Sequence, residues 1–268
     1  SVVGEDTKDM DSLTRLLDVQ AAVFVIQNPN FFGQFEHVSG LADAVHDAGA
    51  LLIVVTDPIS LGRFQSPGAY WADVVVAEGQ PLGIPRSFGG PHLGIFATRK
   101  DFVRRMPGRL VGETVDTAGR RGYVLTLAAR EQHIRRAKAT SNICTNAGLM
   151  ALAAATYLAT MGESGLRQVA ELCYHKSHYA AKRVGAIGGL EMNPQAPDRP
   201  FFKEFVVSLP RPVAEVNELL LQEFGIIGGY DLGLSCPGLE RHMLIAVTEM
   251  NTKAGIDRLV EGLKKAAR

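Results

Sequence analysis

The chain has 268 residues, 46% hydrophobic and 21% charged, an ordinary globular balance with length enough for a large core and for two domains. Its 28 Lys and Arg offset 28 Asp and Glu, so composition makes no case for nucleic acid or a membrane surface. No apolar run approaches the ~20 residues of a membrane span, and three scattered cysteines, Cys144, Cys173 and Cys236, lack metal spacing and suit a reducing cytosol.

The first residues, Ser1-Val2-Val3-Gly4-Glu5-Asp6, carry no basic or apolar leader and no initiator Met, so the sequence reads as a segment of a longer protein. Residues 21–27 form a continuous apolar run ending at Asn28-Pro29-Asn30, and a strand is predicted there. Residues 38–48 have helical spacing and stop at Gly49. Residues 51–56 and 74–77 are again continuous and apolar, and residues 92–98 follow a Gly-rich turn. Doubly buried strands separated by helices indicate a mostly parallel α/β sheet. The strand ends, where such sheets gather ligands, are Asn28 and Asp57.

Residues 107–121 are rich in Gly, Thr and Arg and read as a loop; residues 123–127 look like a short strand, and 128–138 like a basic helix. A small-residue helix is predicted over 145–161, capped by Asn142 or Thr145, with Gly162 and Gly165 punctuating the way to a long helix ending near Lys182. Beyond it, strands at 201–209 and 242–248 and helices at 213–224 and 252–267 indicate a small α+β domain. The expected division is 1–160 for a large domain and 161–268 for the small one.

Several segments together carry a resemblance. They are Asn28-Pro29-Asn30-Phe31-Phe32-Gly33, Pro107-Gly108-Arg109-Leu110-Val111-Gly112-Glu113-Thr114-Val115-Asp116, Arg120-Arg121-Gly122-Tyr123-Val124-Leu125-Thr126-Leu127, Arg130-Glu131-Gln132-His133-Ile134-Arg135-Arg136 and Lys138-Ala139-Thr140-Ser141-Asn142-Ile143-Cys144-Thr145-Asn146. The chain resembles, essentially end to end, the alpha or N-terminal-half subunits of bacterial glycine dehydrogenase (decarboxylating), the P-protein of the glycine cleavage system. Members of that family extend further at the N-terminus. The resemblance implies a fold-type-I pyridoxal-phosphate architecture and a cytoplasmic α2β2 assembly with a homologous subunit 2 that carries the cofactor lysine. It also implies glycine as substrate, with decarboxylation and passage of the aminomethyl group to the lipoyl arm of H-protein. The alternative is a non-catalytic scaffold with a closed relic site.

The same resemblance assigns candidate residues. Asp57 stands where the family's relatives pair a carboxylate with the pyridine nitrogen, and Asn28 where they hydrogen-bond the phenolic oxygen; each also reads as a plain turn residue. The anchoring lysine belongs at the end of the 74–77 strand, but the chain reads Glu78-Gly79-Gln80-Pro81-Leu82-Gly83, with Gln80 and Pro81 at about its place. None of those side chains carries the amine a Schiff base needs, and the nearest lysine in sequence, Lys100, reads as a solvated charge. Thr140, Ser141 and Asn142 resemble a loop that reaches across the dimer to the partner's cofactor phosphate; ordinary helix capping is the competing reading. Arg130, Arg135, Arg136 and Lys138 read as a solvated helix face or as an interface for an acidic partner such as a lipoyl carrier domain. No metal site is expected, His92 included.

Overall fold

The computed structural model describes residues 17, 21–139 and 147–267. Strand β1 (Val23–Gln27) leads through helix α1 (Leu41–Asp47) to β2 (Leu51–Thr56), then β3 (Val74–Glu78) and β4 (Gly94–Thr98). These four form one sheet in the order β1-β2-β3-β4. Both β1 and β3 pair parallel to β2, and β4 returns antiparallel to β3. The apolar run Leu-Leu-Ile-Val-Val-Thr, β-branched in its last four residues, buries Leu52 and Val54 fully, and α1 covers them with Leu41, Ala42 and Val45, residues that share a single face. At ~25 cal/mol per Å2 of apolar surface, each buried Leu or Val side chain here contributes roughly 1.5–3 kcal/mol.

Buried Asp73 ties this sheet together just before β3. One carboxylate oxygen accepts from the Leu52 N–H at 2.9 Å and lies 2.8 Å from His46 Nε2; the other accepts from Arg99 at 3.1 Å. Burial pushes the Asp73 pKa up, but the Leu52 amide, His46 and Arg99 outweigh it and hold the carboxyl below its ordinary value.

Residues 107–121, read as a loop, instead supply one strand of a hairpin. Strand β5 (Leu110–Val115) pairs antiparallel with β6 (Arg121–Thr126) as a separate two-stranded sheet. Its side chains are largely exposed, including Val111, Val115, Tyr123 and Leu125. The basic stretch 128–138 is not one helix. It is a 3-10 turn, the single turn α2 (Gln132–Arg135) and a second 3-10 turn, broken where Leu127 and Arg136 adopt φ of 51° and 53°.

Helix α3 (Gly148–Gly185) runs 38 residues and departs from helical geometry at Gly162. Its N-cap is Ala147, with no side-chain cap, in place of the expected Asn142 or Thr145, which lie outside the described residues. The expected 160/161 division falls inside this helix. Strands β7 (Glu191–Met192), β8 (Glu204–Ser208), β9 (Tyr230–Asp231) and β10 (His242–Ala246) form a second, antiparallel sheet in the order β7-β8-β10-β9. Helices α4 (Val213–Phe224) and α5 (Lys253–Ala266) and the end of α3 cover it. Apolar Ile256, Val260 and Leu263 recur at helical spacing on α5, and the Thr252 side chain caps its start by accepting from Gly255 N–H. A third cluster joins the halves: Ile59 and Leu82 pack with Ala154, Val169, Cys173 and Phe202.

Candidate functional site

Because β1, β2 and β3 are parallel, their C-terminal ends meet at one edge of the sheet. The loop 28–36 leaves β1, Asp57 follows β2, and Glu78 ends β3. Residues 202–204 come against this edge from the second sheet, and a cavity of about 260 Å3 lies between, lined by Pro29, Asp57, Glu78, Pro81, Lys203 and Glu204 among others. Ligand sites of parallel α/β folds lie at this edge.

The cavity is crossed by an ion pair. Lys203 Nζ lies 2.5 Å from Asp57 Oδ2, and both side chains are largely buried, at 16% and 17% exposed. The other oxygen, Asp57 Oδ1, accepts from the Ile59 N–H at 3.0 Å. The Asp57 carbonyl accepts from Ser60 N–H and Oγ, so the Asp-Pro turn expected from sequence is also present. Burial lowers the Lys203 pKa, but Asp57, with help from Glu204, raises it, and the net position is above the ordinary lysine value. The group is therefore an ammonium, not a free amine. Its neighbour Glu204 is pushed up by burial, opposed by Lys203.

The backbone that carries Lys203 is fixed on both sides. Phe202 N–H donates to Gly33 O at 3.1 Å, Ser177 Oγ donates to Phe202 O at 2.6 Å, and Val247 N–H donates to Lys203 O at 2.8 Å. Gly33 has φ of +80°, and a Cβ there would stand 2.2 Å from Glu204 O, so only glycine lets the two backbones pass. The same loop is stitched further along. Gln34 bridges Phe201 and donates through Nε2 to Ala196 O at 2.8 Å. Arg199 pairs with Glu36 at 2.8 Å with both side chains about nine-tenths buried.

The residues singled out by sequence are distributed as follows. Asp57 lines the cavity; Asn28 is not among its lining residues, and its Oδ1 accepts from the Glu36 N–H at 3.1 Å. The turn role read for Asn28 falls instead to Asn30, whose Oδ1 accepts from Phe32 and Gln34 N–H, both at 3.0 Å. At the β3 end, Gln80 Nε2 donates to Ile84 O at 2.7 Å, and Pro81 forms cavity wall. Glu78 Oε1 accepts from the Gln80 and Leu93 N–H groups, which pins this turn. Thr140, Ser141 and Asn142 lie outside the described residues. Lys100 is exposed, and His92 is half-exposed near Glu78. Arg130 is no solvated helix residue: it is buried, and its guanidinium donates to the carbonyls of Met106 and Gly108. Arg135, Arg136 and Lys138 are exposed. No group of three potential metal ligands occurs among the described residues, and no described helix is long and apolar enough to cross a membrane.

Sequence reading missed Lys203, Glu204 and the Glu36–Arg199 pair. The signal was the adjacent Lys203-Glu204 inside the apolar run 201–209, since two charges entering a buried strand demand partners.

Comparison with known proteins agrees with the resemblance. The family described as glycine cleavage system P-protein matches residues 2–263. A probable glycine dehydrogenase (decarboxylating) subunit 1 from Thermomicrobium roseum is 54% identical over 256 residues, 96% of this chain and 56% of the relative. The corresponding protein of Listeria welshimeri is 52% identical over the same shares. The chain thus spans little more than half the length of these curated relatives. A crystal structure of glycine decarboxylase (P-protein) of the glycine cleavage system, in inhibitor-bound form, matches with a TM-score of 0.85 and 45% identity, over 93% of this chain and 56% of that one. Alanine–glyoxylate aminotransferase from a Nostoc species (TM-score 0.64, 17% identity, 97% of this chain and 66% of that one) shares the fold alone. The architecture is α/β of the fold-type-I pyridoxal-phosphate class.

The cavity residues do not fit a pyridoxal phosphate of their own. The β3 end offers no amine, Lys203 is held as an ammonium, and both Asp57 oxygens and Asn28 Oδ1 are engaged within the protein. Matched along nearly its whole length, and sharing its fold with a solved member, the chain belongs to the glycine cleavage system P-protein family.

Proposed function

We propose that the chain acts as a subunit of glycine dehydrogenase (decarboxylating), in a cytoplasmic α2β2 assembly with a homologous, lysine-bearing subunit 2. In this reading pyridoxal phosphate is held covalently by the partner subunit. Glycine is decarboxylated there, and its aminomethyl group passes to the lipoyl arm of H-protein. The observation that carries the reading is the conjunction of family membership with a strand end that has no amine, Glu78-Gly79-Gln80-Pro81. The exposed apolar side chains of β5 and β6 support an assembly, since faces of this kind are usually covered. Thr140, Ser141 and Asn142 are the residues of this chain assigned to the partner's cofactor phosphate.

Reconstitution tests this. Glycine–bicarbonate exchange in the presence of H-protein is expected from the mixture of this chain with subunit 2, and from neither alone. Exchange by this chain alone would contradict the reading, as would full activity of subunit 2 without it.

A further inference from the structure

The cavity at the β2 end is not merely short of an anchor; it already holds a cation. Lys203 enters from the start of β8, reaches Asp57 Oδ2 at 2.5 Å, and lies with Nζ 5.9 Å from the Phe202 ring centroid. The backbone on either side is moored by Gly33, Ser177 and Val247. Asp57 Oδ1 accepts from the Ile59 N–H, so each carboxylate oxygen already has a partner within the chain.

We propose that Lys203 is a tethered occupant of this cavity, whose ammonium takes the Asp57 carboxylate that a protonated aromatic nitrogen would need, so that the chain excludes pyridinium-type ligands by an internal ion pair. The ligand class is defined by the chemistry: a flat heteroaromatic cation seeking a buried carboxylate. A ligand of that kind must displace a lysine tethered by its own backbone, which costs the pair and leaves a second charge buried. The proposal rests on the reading that this chain holds no cofactor of its own, and adds a reason that the missing anchor does not supply.

The probe is pyridoxamine 5′-phosphate, which carries the ring nitrogen but no aldehyde, so no lysine can trap it. Titrated into the full chain by calorimetry, it is expected to bind Lys203→Met at least about tenfold more tightly than wild type, the worth of one charge-assisted contact. The double variant Lys203→Met/Asp57→Asn is expected to lose that gain. Equal affinity of wild type and Lys203→Met, or a double variant that keeps the gain, overturns the proposal.

A second measurement stands if Lys203→Met does not fold. The full chain, wild type and Asp57→Asn, is treated with pyridoxal phosphate and borohydride and mapped by mass spectrometry. Lysine amine and aldehyde condense with loss of water, and borohydride supplies the hydride that fixes the product. Without its carboxylate partner buried Lys203 is expected to shed its proton and take label in Asp57→Asn, while staying unlabelled in wild type. Label on Lys203 in wild type would break the reading that the chain holds no cofactor. Pyridoxamine phosphate bound to unlabelled wild type would break only the ion-pair account, and no label on Lys203 in either chain also counts against it.

Discussion

Gly33→Ala is expected to open the seam between the 28–36 loop and the strand entry that carries Lys203. Two terms set the size. A side chain at φ of +80° costs about 1–2 kcal/mol in a left-handed conformation. The new Cβ would also stand 2.2, 2.5 and 2.6 Å from Glu204 O, C and Cβ, closer than real contacts allow, and relief requires backbone to move by the better part of an ångström. That movement weakens the two bonds of the Gln34–Phe201 bridge, Phe202 N–H to Gly33 O and Phe35 N–H to Pro200 O, at roughly 1 kcal/mol or more each. The expected loss is therefore about 3–5 kcal/mol. Gly49→Ala is the internal control: φ is +79°, nothing lies within 4 Å of the added Cβ, and only the conformational term of about 1–2 kcal/mol applies. Urea unfolding with matched m-values reads both. Equal destabilisation of the two variants would refute the close-approach argument.

Asp73→Ala is expected to destabilise by about 2–4 kcal/mol, since it strands the buried Leu52 N–H and removes the partner of His46 and Arg99. The Asp73 pKa is depressed in the folded chain, so its contribution is present above the ordinary value of 3.8 and lost as pH falls through the lower folded value. Asp73→Asn should correspondingly flatten the acid limb of a stability–pH curve, and an unchanged limb would count against the assignment. In the reconstituted assembly, Thr140→Ala is expected to weaken cofactor affinity by several-fold, roughly one hydrogen bond, while leaving subunit association intact. Unchanged affinity and rate favour the scaffold reading, with the chain contributing only an interface.

Much of the fold was legible because buried strands and helices punctuate themselves. The run Leu51–Thr56 is continuously apolar with four β-branched residues and stops at Asp57-Pro58, and the Val213–Phe224 helix lies between Pro212 and Gly225, the latter in a left-handed cap. Of the β5–β6 hairpin, the second strand was legible as the short apolar run 123–127, but β5 was not, for the opposite reason. Its positions are mostly exposed, so no alternation of apolar and polar residues marks it, and Gly108, Gly112 and Gly119 look like loop punctuation. The basic stretch 128–138 has helical composition, but positive φ at Leu127 and Arg136 divides it into turns, a conformation no side-chain pattern announces.

The candidate site divides the same way. Strand-end logic placed Asp57 at the cavity, because the C-terminal edge of a parallel sheet is fixed by topology. It could not place Lys203, which arrives from a different sheet nearly 150 residues later in the chain, nor show that Asn28 is spent on Glu36. Long-range pairs of this kind depend on how α3 and the 28–36 seam set the second sheet against the first.

On the proposed division of labour the reactive lysine lies on subunit 2 and not on this chain. Borohydride reduction of the assembly reconstituted with pyridoxal phosphate and subunit 2, followed by peptide mapping of both chains, tests this. The expected result is one stoichiometric phosphopyridoxyl-lysine, on subunit 2, and none on this chain. A stoichiometric label on Lys203, or on any other lysine here, would contradict the account.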